Sequence, residues 1–416
     1  VSILKNKDYR IILKNFSYLS LLKVFNIGFK FVLVAYLIRV LGTEIYGVFT
    51  WADSILQFFL MFINFGFNVY AAKYIVDNRN NKKTIDEVVS SIYTIKTALF
   101  LISFLILFAT SIFKPINQNF GLLFLMLFIG IGEVLFPIWF YQGMERLKTA
   151  TIIVFFSRLF IVITTICLVK SSTDLYIYVS LIIASSIIMG VLGVYSLKKH
   201  YGINFRMVKK KTILNYFKAA SMFFLGRFML LVFNFGTIFL IGVYSTMDDV
   251  TGFDIASKII MLAVIPFEMI QSAVFPTISR TLDKKLLKRL VLLGLVVGIV
   301  LMIGINMFTT PLLLLFGGQE ILDYGPALQF LSILTPLTSV TFVLGSCALV
   351  AFGYFKEYNL SLLISSLFYI VIVLLLYLAD EITFWNLIYL RVISEFVLVF
   401  IRTIFAVNKK ILFSID

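Results

Sequence analysis

Nine basic side chains stand inside the apolar stretches of this 416-residue sequence: Lys23, Lys30, Arg39, Lys96, Arg158, Arg227, Lys258, Arg391 and Arg402. Five acids accompany them: Asp53, Glu133, Asp254, Glu268 and Glu395. A cation in hydrocarbon costs about 2.5–3.5 kcal/mol on insertion scales, so each needs water, an opposite charge or a headgroup. Little else offers reactivity. His200 is the single histidine and lies in a polar loop. Cys167 and Cys347 lie within apolar stretches and read as packing residues. There is no His/Cys cluster for a metal and no glycine-rich strand–loop–helix pattern for a nucleotide. No catalytic residue, metal site or bound cofactor is expected. The chemistry to be explained is the handling of charge.

Helical geometry, at about 100° per residue, sorts these groups. Lys23 and Lys30 share a face with Asn26 beside them, whereas Arg39 points away at the outer end. Asp53, Gln57, Asn64 and Asn68 fall within about 60° of one another. Lys96 repeats at sevens with Ser103 and Thr110, Arg158 with Thr151 and Thr165, and Arg227 with Asn234. Asp254, Lys258 and Glu268 share one side of a helix, as do Arg391, Glu395 and Arg402. Asp254–Lys258 and Arg391–Glu395 are opposite charges at i,i+4, so self-neutralisation and a cavity-lining role both remain open for them. Arg39 and Arg402, near helix ends, are expected to snorkel to headgroups.

Lys30, Arg158 and Arg227 are mid-helix and have no partner on their own helix. They point to an aqueous cavity of positive potential, which selects an anion. Lys23, Lys258 and Arg391 extend that cationic set, with Asn26, Gln57, Asn64, Asn68 and Asn234 as its polar lining. The five acids are candidates for H⁺ or Na⁺ coupling.

The elements that must position these groups are membrane helices. Hydrophobic residues make up 61% of the chain and charged ones 14%, with a mean hydropathy of +1.03; soluble domains sit near ~45–50% and ~25%. Twelve apolar windows are predicted to span, at roughly 16–41, 47–71, 88–112, 119–141, 150–170, 174–197, 216–244, 250–277, 290–315, 326–352, 357–379 and 384–407. The first follows Lys5, Lys7, Arg10 and Lys14 in the manner of a signal peptide, but it is too long and no small-residue cleavage site follows, so it reads as a retained span.

Lysines and arginines outside the windows divide unevenly. The termini and even-numbered connections hold almost all of them, and the other side only Lys114 and Lys170. Both termini are therefore expected in the cytoplasm. This also accounts for the net charge of +15 without nucleic acid. No connection is much longer than twenty residues, so any function is performed within the bilayer. A weak echo, IYGVFTWADS at 45–54 and VTGFDIAS at 250–257, suggests two six-helix lobes, 1–197 and 216–416, joined by a basic cytoplasmic linker at 198–215. Pro137, Pro266, Pro276 and Pro336 interrupt helical hydrogen bonding and could permit bending.

FPIWFYQGMERLK at 136–148 resembles the W-[YF]-[YF]-Q-G-[LM]-E motif of Wzx-type O-antigen and capsule repeat-unit flippases, within the multidrug/oligosaccharidyl-lipid/polysaccharide (MOP) exporter superfamily. RVLGTEIYGVFTWADS at 39–54, FGTIFLIGVYSTMDDVTGFDIASKI at 235–259 and VFPTISR at 274–280 resemble the corresponding regions of each half. One departure is Thr251-Gly252, where the family more often has Val-Gly-Tyr-Tyr.

The resemblance implies an all-α bundle in two pseudo-symmetric lobes, in a bacterial cytoplasmic membrane, working by alternating access. The substrate implied is an undecaprenyl-pyrophosphate-linked oligosaccharide, held through its pyrophosphate by Lys30, Arg158 and Arg227. A polymerase and a chain-length regulator of the same pathway are the implied partners, besides membrane lipids. Three rivals weigh less. A multidrug exporter usually needs intramembrane acids in excess, a peptidoglycan-precursor flippase typically has two further helices, and a membrane polymerase or ligase needs a large outer loop.

Overall fold

The computed structural model describes residues 21, 25 and 28–412, apart from the side chains of 222, 223, 225–227 and 230. Every one of the twelve predicted windows is mostly helical in its described part, and the described residues contain no strand. Eight helical runs among them are each long and apolar enough to cross a membrane. A ninth is the pair Gln319–Leu331 and Leu334–Val350, bent by 47°. The helices outrun the hydropathy windows: Lys82–Thr110, for example, starts before its window at 88. Backbone hydrogen bonding continues into the headgroup region, which hydropathy does not register.

The helices are patterned inside out. On Phe355–Leu378, Ser361, Ser365, Ser366 and Tyr369 are buried, while Leu367, Val371, Leu374 and Leu378 face outward. Lys284–Met307 turns Gly294 and Gly298 inward and Leu292, Val296, Val300 and Ile303 outward. Gly298 is needed for contact: a Cβ there would lie 2.3 Å from the Pro336 Cα. Small and hydroxyl residues between helices with an apolar exterior are the signature of packing in lipid. The protein is an all-α, multi-pass membrane protein.

The chain divides into two compact units. The first holds the residues through Gly42 and Ala52–Phe228. Its core is built from Phe67, Ala71 and Ile75, from Val88, Val89 and Ile92, and from Trp139, Phe140 and Tyr141. The second holds Thr43–Trp51 and the residues from Met229 onward. Its apolar clusters centre on Phe267, Leu344 and Cys347 and on Phe233, Tyr369 and Leu398.

Polar contacts within each unit join connections of one side only. In the first unit, Arg79 bonds Glu145 at 2.7 Å, and Arg206 bonds Asp86 at 3.0 Å. These gather the second–third, fourth–fifth and sixth–seventh connections. At the other end, the Tyr36 hydroxyl donates to the Val169 carbonyl. In the second unit, Tyr324 donates to Asp249 at 3.0 Å, and Lys409 pairs with Glu357 at 2.9 Å at the opposite end. The pairing follows the alternation that the loop charges require.

Two expectations need correction. Arg402 does not snorkel; it is buried, donating to the Thr341 carbonyl at 2.9 Å and to Ser361 Oγ at 3.2 Å over the Tyr358 ring. Gly345 makes the room, since a Cβ there would sit 2.5 Å from the guanidinium. Cys167 is exposed and is not a packing residue. The buried face of Leu147–Leu168 runs through Ala150, Val154, Ser157, Ile161 and Thr165, and position 167 falls off it.

Candidate functional site

Lys96 and Glu133 of the first unit meet where two spans are broken. The Thr43–Asn64 helix ends at Phe65 and Gly66, both left-handed (φ 47° and 79°), before Phe67–Asn78 resumes. The fourth span breaks between Gly130–Leu135 and Ile138–Gly143, at Phe136 and Pro137. Pro137 has no N–H, so the carbonyl four residues back, that of Glu133, loses its helical donor. The Lys96 ammonium takes that place at 2.7 Å. Lys96, on Lys82–Thr110, is fully buried. Tyr93, one turn away, donates to the Leu135 carbonyl at 2.7 Å. Lys96 also reaches Glu133 Oε1 at 3.3 Å, and Asn64 Nδ2 donates to the same oxygen at 2.6 Å. The Asn68 N–H donates to Asn64 Oδ1. Sequence reading counted Lys96 but gave it no role. Glu133 followed by proline four residues later was the signal available.

Among the mid-helix cations, Lys30 and Arg158 lie on packed neighbours. The Phe29 ring lies 5.8 Å from that of Phe155, tilted by 54°, and the Tyr36 hydroxyl donates to the Val169 carbonyl further along. The helix through 28–41 and Leu147–Leu168 therefore run parallel, with Lys30 and Arg158 at about the same level. Lys30 is exposed and Arg158 half-buried. Residue 227 adjoins Phe228, whose ring lies 5.8 Å from that of Phe58. Its backbone is thus level with Gln57, which donates to Asp53 at 2.9 Å. The Arg227 side chain, Lys23 and Asn26 lie outside the described residues.

In the second unit the predicted ion pairs form. Lys258 pairs with Asp254, and both bind the Tyr46 hydroxyl, which accepts from Lys258 at 2.7 Å and donates to Asp254 at 2.9 Å. Tyr46 is buried and was seen in the sequence only as part of a family-like stretch. Arg391 pairs with Glu395 at 3.0 Å, and its Nε donates to Asn234 Oδ1 at 3.3 Å. Asn234 is displayed by the π-helical turn Val232–Gly236, a distortion that often marks functional positions. Glu268 is half-buried on Met247–Thr281, which contains Pro266 and Pro276 without breaking. Lys258 and Arg391 are therefore parts of neutral pairs.

The motif at 136–148 is a packing device. Trp139, Phe140 and Tyr141 are buried, and a Cβ on Gly143 would sit 2.8 Å from the Ala72 carbonyl. The echoing Gly47 and Gly252 also serve close approach, against the Met247 carbonyl and the Tyr324 ring. No group of three or more His, Cys, Asp or Glu able to hold a metal occurs among the described residues.

Comparison with known proteins places this architecture. The chain is 23% identical, over 85% of its length and 87% of the relative's, to a protein of Escherichia coli (strain K12) named "Putative O-antigen transporter". It shares its fold with the inward-facing structure of a multidrug resistance MATE family transporter of the MOP superfamily (TM-score 0.75, 12% identity, 93% of this chain and 94% of that one). It also shares it with the lipid II flippase MurJ in an inward closed conformation (TM-score 0.75, 16% identity, 94% and 87%). Residues 12–282, well over half of the sequence, match one family throughout, and the chain belongs to that polysaccharide biosynthesis protein family.

Proposed function

We propose that this protein is a flippase that turns polyprenyl-pyrophosphate-linked oligosaccharide repeat units across the bacterial cytoplasmic membrane, by alternating access and without catalysis, for surface polysaccharide synthesis. The observation that carries the reading is the level placement of Lys30 and Arg158 on two packed, parallel membrane helices. A pyrophosphate brings at least two negative charges that hydrocarbon does not solvate. Two cations at one depth replace that water, and guanidinium can grip two phosphate oxygens at once. The sugar hydroxyls suit the amide and hydroxyl side chains nearby, and Arg227 is the third cation of the set. The similarity to an O-antigen transporter supports the oligosaccharide as cargo. H⁺ or Na⁺ is the proposed coupling ion; of the five acids, Asp53 and Glu268 are its first candidate sites, because Glu133, Asp254 and Glu395 are each paired with a lysine or arginine.

The test is flipping of a fluorescent undecaprenyl-pyrophosphate oligosaccharide in proteoliposomes. Wild type should flip it. Arg158→Gln and Arg227→Gln should each slow flipping about 10- to 100-fold, as expected for the loss of a charge-assisted contact of roughly 1.5–3 kcal/mol, with partial rescue by lysine. Arg39→Gln, whose guanidinium caps its own helix at the Ala35 carbonyl, should be silent. Equal flipping by wild type and both glutamine variants sinks the cationic-site reading.

A further inference from the structure

The junction of the two broken spans has the ligands of a monovalent cation site. Where membrane helices break, freed carbonyls and a carboxylate commonly coordinate Na⁺ or H⁺. Here the Glu133 carbonyl, freed by Pro137, and Glu133 Oε1 converge on one point. Asn64 fixes the carboxylate from the other broken span. Asn68, one turn further, holds its Oδ1 buried with no hydrogen-bond partner among the described residues. The Glu133 side chain is 31% exposed, so the site is open to small ions. What occupies the point is the chain's own ammonium, delivered through the core by a Lys96 that is 0% exposed.

We infer that Lys96 is a tethered substitute for a free monovalent cation. Glu133 in the native chain therefore holds a permanent counter-ion and does not exchange Na⁺ with solvent. An ammonium and Na⁺ are both compact unit charges satisfied by oxygen donors, so deleting the tether should expose a site for either. The inference stands apart from the cargo, because its readout is melting of the purified protein and not transport.

The experiment compares wild type, Lys96→Ala and Lys96→Ala/Glu133→Gln in detergent, with NaCl or ethylammonium chloride replacing choline chloride at constant ionic strength. Lys96→Ala should melt lower than wild type in choline. It should then gain about 2 °C when Na⁺ or ethylammonium reaches about ten times its dissociation constant. The double variant should lose that response, and wild type should show none that depends on Glu133. A folded Lys96→Ala that responds to neither ion overturns the inference. So does a Na⁺ response of the wild type that Glu133→Gln abolishes. If Lys96→Ala cannot be recovered folded, the double variant decides. It should be recovered better than the single one, because the stranded carboxylate is gone; equal or worse recovery overturns the inference.

Discussion

The two units handle buried charge in opposite ways. In the second, the buried ions pair along one helix, Asp254 with Lys258 and Arg391 with Glu395, each four residues apart, and the pair that joins two elements, Lys409 with Glu357, lies near the surface. In the first they pair across the sequence: Lys96 with Glu133, Arg206 with Asp86, Arg79 with Glu145. A pair within a helix survives any movement of that helix, because both partners travel together. A pair between elements fixes their relation and must break if they part. The second unit's ions can therefore be neutral during motion, whereas those of the first hold a broken span and three connections in place.

The largest effect should come from splitting an intrahelical pair. Arg391→Met leaves Glu395, 6% exposed, without its partner, and such a stranded charge costs about 3–5 kcal/mol. The Arg391→Met/Glu395→Met variant removes both charges and should recover most of that loss, since well-packed apolar residues often replace a buried pair at no cost. Melting temperatures in detergent give the comparison. A double variant as unstable as the single would mean that the pair does more than neutralise itself.

A strap of the first unit comes next. Asp86 is fully buried and accepts the Asn204 N–H at 3.2 Å and the Arg206 guanidinium at 3.0 Å, while Ser90 accepts the Arg206 N–H at 2.9 Å. Asp86→Ala removes charge-assisted bonds worth roughly 1.5–3 kcal/mol, most of which falls on residues 203–209. Trypsin should then cut at Arg206 or Lys209 about tenfold faster or more, with global melting moved far less. Unchanged cleavage would show that the segment is held by Ile203 and Phe205 instead, which pack in the core and against Tyr93.

The same contrast explains what could be read from the sequence. Apolar windows and loop charges gave the helices, because lipid demands both of them over twenty residues at a time. The i,i+4 pairs were legible since a helix brings those positions together by its own geometry. Lys96–Glu133 was not, because it depends on which helices neighbour one another. Arg402 misled for a related reason: nearness to a helix end suggests snorkelling, and only the notch at Gly345 reveals a buried berth. Tyr46 stood in the sequence only within a family-like stretch, and its hydroxyl meets Asp254 and Lys258 through tertiary packing.

The smallest effect concerns the outermost of the first unit's cross-sequence pairs. Arg79 donates to Glu145 and, with its charge, holds the Glu145 carboxyl below the ordinary carboxylate range, against a smaller upward push from burial. A lowered folded pKa contributes stability that is complete above the unfolded value of about 4.3 and is lost as pH falls through the folded value. Glu145→Gln should therefore melt slightly below wild type at pH 7, by the roughly 0–1 kcal/mol of a surface pair, and the gap should close in acid below about pH 4. Glu145 also sits in the left-handed region at φ 55°, where a side chain costs about 1 kcal/mol or more. Glycine pays no such penalty, so Glu145→Gly should be at least as stable as Glu145→Gln at pH 7 although both lose the ion pair. Melting curves of the three proteins at pH 7 and in acid measure the two contributions separately. A Glu145→Gln deficit that persists unchanged in acid would assign it to packing and remove Arg79–Glu145 from the set of stabilising pairs.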